Sequence, residues 1–180
     1  MFTFSTRPML LAAPLLMVLG SAVVAGGADL GQLASPEDFA AWDISILPDG
    51  RGLPAGSGTP QQGERIYTQH CAGCHGPKGA GKPNDQLVGG QGSLAGTQAP
   101  VKTVGSYWPY ATTIFDYVRR SMPLTAPQSL SNDEVYAVTA YLLHLNGIIG
   151  ENDAVDADSL PRVKMPNRSN FKSLYPGEAR

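Results

Sequence analysis

The run Cys71-Ala72-Gly73-Cys74-His75 constrains this chain more than any other feature, because it dictates a cofactor and a local shape together. Cys-x-x-Cys-His is the attachment signature of c-type haem. On a helix the two thiols sit about one turn apart, so both can form thioethers to the vinyl groups of one porphyrin. His75 then aims its imidazole at the iron. The run occurs once and uses both cysteines of the chain. Other uses of the pair fit less well. A thioredoxin-like dithiol belongs beside a βαβ pattern, and none is visible. Zinc and iron–sulfur sites draw on four ligands, and no further cysteine can supply them. A disulfide across two intervening residues would close too small a loop to stabilise much. One covalent haem c is expected.

Covalent haem attachment in bacteria is a periplasmic event, and the start of the chain agrees with export. Arg7 and the amino terminus form a short positive region, Met9 to Leu19 is apolar, and residues 21–28 are rich in small side chains. That order is a secretory signal, with Ala25 or Ala28 as the residue before cleavage. The alternative is a retained anchor, since residues 9–28 carry no charge and are long enough to span a bilayer. Pro14, Gly20 and the small-residue tail weigh against it. Without residues 1–28 and their single charge, Arg7, 12 basic residues face 15 acidic ones, a net charge of −3. So mild a balance gives no electrostatic footprint for nucleic acid. After cleavage no membrane segment is expected.

Three segments carry helix signals. Thr59-Pro60-x-Gln62 offers an N-cap, a proline at the first helical position and a capping-box glutamine, predicting a helix from Pro60 to about Cys71 that delivers the haem motif. Ser131-Asn132-Asp133-Glu134 is a second capping box, followed by Val135, Val138, Leu142 and Leu145 at helical spacing and stopped by Gly147. Between them, Thr113 to Ser121 reads as a helix with Ile114, Tyr117 and Val118 on one side, ended by Pro123. A minor helix is expected near Ser35 to Trp42. Residues 76–111 are rich in glycine and proline without a sustained period, and read as loop wrapped around haem. The expected organisation is a signal peptide over 1–28, an N-terminal extension over 29–58 whose residues 43–58 read as linker, a haem domain over 59–147, and a C-terminal extension over 148–180. The last carries four acids in 151–158 and four bases in 162–172.

The ligand opposite His75 sets the chemistry: methionine raises the potential and suits electron transfer, whereas an open position suits small-molecule chemistry. Outside the signal segment the methionines are Met122 and Met165. Met122 ends a short helix before Pro123, where a rigid Met-Pro pair can hold a thioether over the iron; Met165 lies in a charged tail. His70 adjoins Cys71 and cannot reach the opposite haem face, and His144 reads as an exposed or capping group. The metal ligands are thus expected to be His75 and Met122, with Cys71 and Cys74 completing the cofactor-binding set and no catalytic residue. Pro83 is the nearest anchor for a carbonyl that would accept the His75 ring proton. Trp108, Tyr107 and Tyr110 either donate to haem propionates or simply pack, and Arg119 and Arg120 either neutralise a propionate or face a partner.

Gly63, Tyr67, the haem motif, Met122 and Ala140-Tyr141-Leu142 together resemble the class I cytochrome c pattern. The resemblance implies an all-α fold of three to five helices and long loops around one haem. Its first and last helices cross at a glycine like Gly63, with aromatics like Tyr67 and Tyr141 packing there. A narrower resemblance spans nearly the whole exported chain through Trp42-Asp43-Ile44, Pro48-Asp49-Gly50, Gly52-Leu53-Pro54, residues 104–113 and Met165-Pro166-Asn167-Arg168. These segments resemble the cytochrome subunits of sulfane dehydrogenases in the sulfur-oxidising (Sox) pathway and of related sulfite dehydrogenases. In that family a separate molybdenum-cofactor subunit oxidises the sulfur compound and a downstream cytochrome accepts the electrons; some members carry two haems in a longer chain. The implied role is a periplasmic single-electron carrier that is not itself an enzyme. Two alternatives remain: a free periplasmic carrier for another dehydrogenase, and a haem sensor or peroxidase-like protein, which Met122 argues against.

Overall fold

The computed structural model describes residues 31–40, 42–96, 99–172 and 174; the proposed signal peptide lies outside them. Two capping boxes start the two helices that organise everything else. Thr59 accepts from the Gln62 amide at 3.3 Å while the Gln62 side chain accepts from the Thr59 amide at 2.9 Å, opening α2 (Pro60–His70). Ser131 and Glu134 exchange the same pair of bonds at the start of α5 (Asn132–Leu145). Each box satisfies amides that a helix start otherwise leaves without partners. Ahead of them, α1 (Pro36–Ala40) is a single exposed turn capped by Ser35.

α2 crosses α5 at Gly63. A Cβ on Gly63 would run into the Ala137 carbonyl and the Tyr141 side chain, so glycine is what lets the two backbones meet. Tyr67 and Tyr141 pack beside the crossing, ring centroids 5.5 Å apart. The molecule is helical, as expected, with α3 (Ala72–His75) and α4 (Ala111–Ser121) completing five helices among the described residues.

α4 departs from its expected face. It begins two residues earlier, and its buried stripe is Ala111, Ile114, Phe115 and Val118. Tyr117 is 51% exposed whereas Phe115 is fully buried against Tyr136 of α5, centroids 4.3 Å apart. With 3.6 residues per turn, 111, 114, 115 and 118 share a narrower arc than one containing 117.

α5 is buried on every side from Val135 to Leu143, not on one stripe, because both extensions cover it. Residues 43–58, read as a linker, pack instead: Ile46 is buried, the Tyr136 hydroxyl donates to the Pro54 carbonyl at 2.8 Å, and the Ser57 amide donates to Asp133 at 2.8 Å. Strand β1 (Ser57–Gly58) pairs antiparallel with β2 (Val155–Asp156), tying one extension to the other. Val155, Leu160 and Met165 from the C-terminal extension enter the same core. Among the described residues no helix is long and apolar enough to cross a membrane.

Candidate functional site

α2 hands directly into the attachment turn. The Cys71 amide still donates to the Tyr67 carbonyl at 2.8 Å, and the His75 amide donates to the Cys71 carbonyl at 2.9 Å. Cys71 and Cys74 therefore sit one turn apart, and neither is in a disulfide. Cys74 is exposed. Cys71 is half-buried, and burial, reinforced by Cys74, pushes its thiol up to about 11.

The chain then doubles back beneath His75. Gly76 makes the bend at φ +72, where a Cβ would strike the Gly81 carbonyl. The buried Tyr67 hydroxyl donates to the Gly76 carbonyl at 2.9 Å, pinning the bend to α2. Burial pushes that phenol up to about 12, keeping the donor protonated. The Gly81 amide donates to the His75 carbonyl at 2.7 Å, and the Asn84 amide to that of Cys74 at 2.9 Å. The carbonyl that meets the imidazole belongs to Asp85, not Pro83: His75 Nδ1 lies 2.8 Å from it. Turn bonds from the Gly81 and Asn84 amides hold this stretch against the cysteine turn, and the carbonyl that faces the ring lies two residues beyond Pro83. A carbonyl only accepts, so Nδ1 carries the proton and Nε2 keeps its lone pair for a metal.

Met122 caps the far end of α4. Its amide donates to the Val118 carbonyl at 3.0 Å and its backbone turns extended (φ −122°, ψ 146°), as a residue before proline must. The side chain is half-buried at the edge of the core, as are Cys71, Ala72, Leu87, Trp108 and Leu130. Met165 is 4% exposed and packs within the core. His70 is exposed at the end of α2. His144 is half-buried, not exposed: it lines a cavity of about 150 Å³ with Pro60, Glu64, Lys78, Tyr141 and Glu151, and its Nδ1 has no hydrogen-bond partner.

The remaining candidates divide. Arg120 forms a two-pronged ion pair with Asp116 at 2.9 and 3.0 Å, and Asp116 also accepts from the Ile46 amide at 3.3 Å. That arginine serves α4 itself. Tyr107, Trp108 and Tyr110 form a panel just before α4. Tyr107 meets Trp108 edge-on at 5.9 Å and Phe171 at 5.4 Å, and the Arg168 guanidinium lies 5.1 Å over the Tyr110 ring. Two polar residues were given no role by the sequence, Asn167 entering only as part of a resembling segment. The Asn146 carboxamide donates to the Leu87 and Leu142 carbonyls at 3.2 and 2.8 Å and accepts from the Gly89 amide at 3.0 Å, fastening the loop after the haem motif to α5. Asn167 donates to the Tyr107 carbonyl at 2.8 Å. An asparagine before the stop at Gly147 is a visible cap signal; nothing local marks Asn167.

The donor chemistry fits haem c. Two unpaired thiols stand one turn apart, an imidazole presents Nε2, and a thioether sits at an apolar edge, with no carboxylate among them. The cytochrome c family model matches residues 60–146. The chain is similar to the crystal structure of the sulfane dehydrogenase SoxCD from Paracoccus pantotrophus, at 43% identity and a TM-score of 0.75, over 84% of this chain and 73% of that one. It is also similar to a thiosulfate dehydrogenase of Psychrobacter arcticus, 24% identical over 143 residues. That match takes in 76% of this chain and 43% of the relative, so the chain spans less than half the relative's length.

Proposed function

The chain belongs to the cytochrome c family and carries haem c, and from that premise we propose that it is the electron-accepting subunit of a molybdenum-dependent sulfane or sulfite dehydrogenase in the periplasm. Bound covalently, haem supplies a one-electron couple. Cys71 and Cys74 anchor it. The Asp85 carbonyl fixes the tautomer and direction of His75, so that Nε2 keeps a lone pair that would bind the iron. Met122 offers its thioether from the other side. Leu87, Trp108 and Leu130, like Cys71 and Met122, are half-buried apolar side chains packed against the core, an apolar setting suited to a porphyrin.

The observation that carries the partner is the single attachment motif. One haem takes one electron, whereas oxidation of a sulfur atom by oxygen-atom transfer releases two. No second redox centre is legible in the chain, so the bond-making belongs to a partner subunit and the chain relays its electrons in single steps. Similarity to a sulfane dehydrogenase over 84% of the chain supports that class of partner, and the export-like residues 1–28 support the compartment.

Affinity capture of the tagged protein from the periplasm of its native host tests this. A co-purifying molybdenum protein whose sulfur substrate bleaches the ferric haem spectrum is expected. Capture of the cytochrome without molybdenum, with no reduction by sulfite or sulfane compounds, would overturn the partner and leave a free carrier.

A further inference from the structure

α4 has a weak beginning. Tyr110 occupies its N-cap without a side-chain hydrogen bond, so the start of the helix relies on its neighbours: the Tyr107 amide donates to the Thr103 carbonyl at 3.0 Å, Trp108 packs near Tyr117, and Phe115 packs on Tyr136 of α5. Its other end presents Met122, about 16 Å along an eleven-residue helix. A small tilt at the start therefore moves the thioether by a large fraction of a bond length.

A further set of contacts reaches that start from 60 residues away. Asn167, 8% exposed, donates through Nδ2 to the Tyr107 carbonyl at 2.8 Å, and its own Oδ1 accepts from Asn170 at 3.0 Å. Arg168 stacks on Tyr110, and Phe171 packs edge-on against Tyr107. Behind them Met165 is buried and the turn Leu160–Arg162 packs on α4 itself. Midway along α4, Asp116 is held by Arg120 and by the Ile46 amide, and the β1–β2 ladder links that N-terminal segment to the C-terminal one. Among the described residues, the long-range contacts of the panel before α4 are made by Asn167, Arg168 and Phe171.

We propose that residues 165–171 form a clasp that positions the Met122 thioether over the haem iron, with Asn167 as its centre. The inference rests on the reading of Met122 as an iron ligand. The C-terminal extension is then part of the haem site's scaffold and not only a surface for partners. Asn167 is a positioning residue: it touches the loop, the loop sets α4, and α4 sets the ligand.

The test uses the full-length holoprotein and the far-red absorption band of a ferric histidine–methionine haem. Met122→Lys must abolish the band; if it persists, the ligand assignment fails, whatever the clasp does. With that control in place, Asn167→Asp keeps the side chain's size but replaces the donor by a second acceptor. It is expected to lower the pH midpoint at which the band is lost by about one unit, a tenfold weakening of methionine ligation, and to lower the reduction potential, with far-UV circular dichroism unchanged. Arg168→Ala with Phe171→Ala should act in the same direction, and Lys164→Ala, on the exposed face beside the clasp, should do nothing. An unchanged midpoint and potential in Asn167→Asp and in the Arg168/Phe171 variant would overturn the clasp while leaving the ligand assignment standing.

Discussion

The two sides of the haem site are built in opposite ways. On the His75 side the bonds nearest the ring are short-range, Tyr67 to Gly76 spanning nine residues and His75 to Asp85 ten, and the long-range ties of Asn146 enter only further along the loop, at Leu87 and Gly89. On the Met122 side they are long-range: Asp116 to Ile46 spans 70 residues and Asn167 to Tyr107 spans 60. A short loop closes at small entropic cost and needs little beyond its own sequence. The far side draws on both extensions as well as on α5, so it is expected to open first under stress. In the proposed site a firmly held imidazole is therefore paired with a thioether that the rest of the fold must deliver.

The largest effect should come from the element both sides share. Gly63→Val forces a branched side chain into the Ala137 carbonyl and Tyr141, costing about 3 kcal/mol or more; denaturant unfolding should show both sides failing together. If only the methionine band is lost, the helix crossing is not the common foundation. Next, Met122→Ala should remove the far-red band completely and lower the potential while the haem stays attached through Cys71 and Cys74; spectroelectrochemistry checks both. Tyr67→Phe is confined to the near side. It leaves the buried Gly76 carbonyl without its donor, a loss of about 1–3 kcal/mol by thermal unfolding, with the band intact at temperatures below the transition.

The smallest effect is a pH slope at α5. The Ser131 amide and hydroxyl hold the Glu134 carboxyl below its ordinary value. The folded state therefore binds that proton less readily than the unfolded chain. The contribution is fully present above the unfolded value of about 4.3 and is lost as pH falls through the lower folded value. Glu134→Gln should flatten that acid-side slope and cost under about 1 kcal/mol at neutral pH. An unchanged slope in acid unfolding would remove the capping box from the account.

The same contrast explains what was legible. The near side could be read because capping boxes and the haem motif are local patterns: Thr59 with Gln62, Ser131 with Glu134, and Cys71 to His75 act within a few residues of themselves. Residues 43–58 misled because they pack through isolated points, Ile46 and the backbone of Pro54 and Ser57, which leave no period to detect. α5 looked one-sided in sequence because nothing in it announces that two proline-rich segments cover its outer face. Tyr117 and Phe115 exchanged roles because an apolar stripe on a short helix shifts by one residue without altering its composition. His144 reads as an exposed or capping group because the helix end that flanks it does not disclose Lys78 and Glu151 beside it.

Acid–acetone extraction of the purified ferric protein, followed by the pyridine haemochrome spectrum of the precipitate, tests the central claim most directly. Haem held by thioethers to Cys71 and Cys74 should stay with the polypeptide, one per chain, and show the c-type spectrum. Pigment passing into the acetone, or a colourless chain from a host that matures c-type cytochromes, would contradict the account.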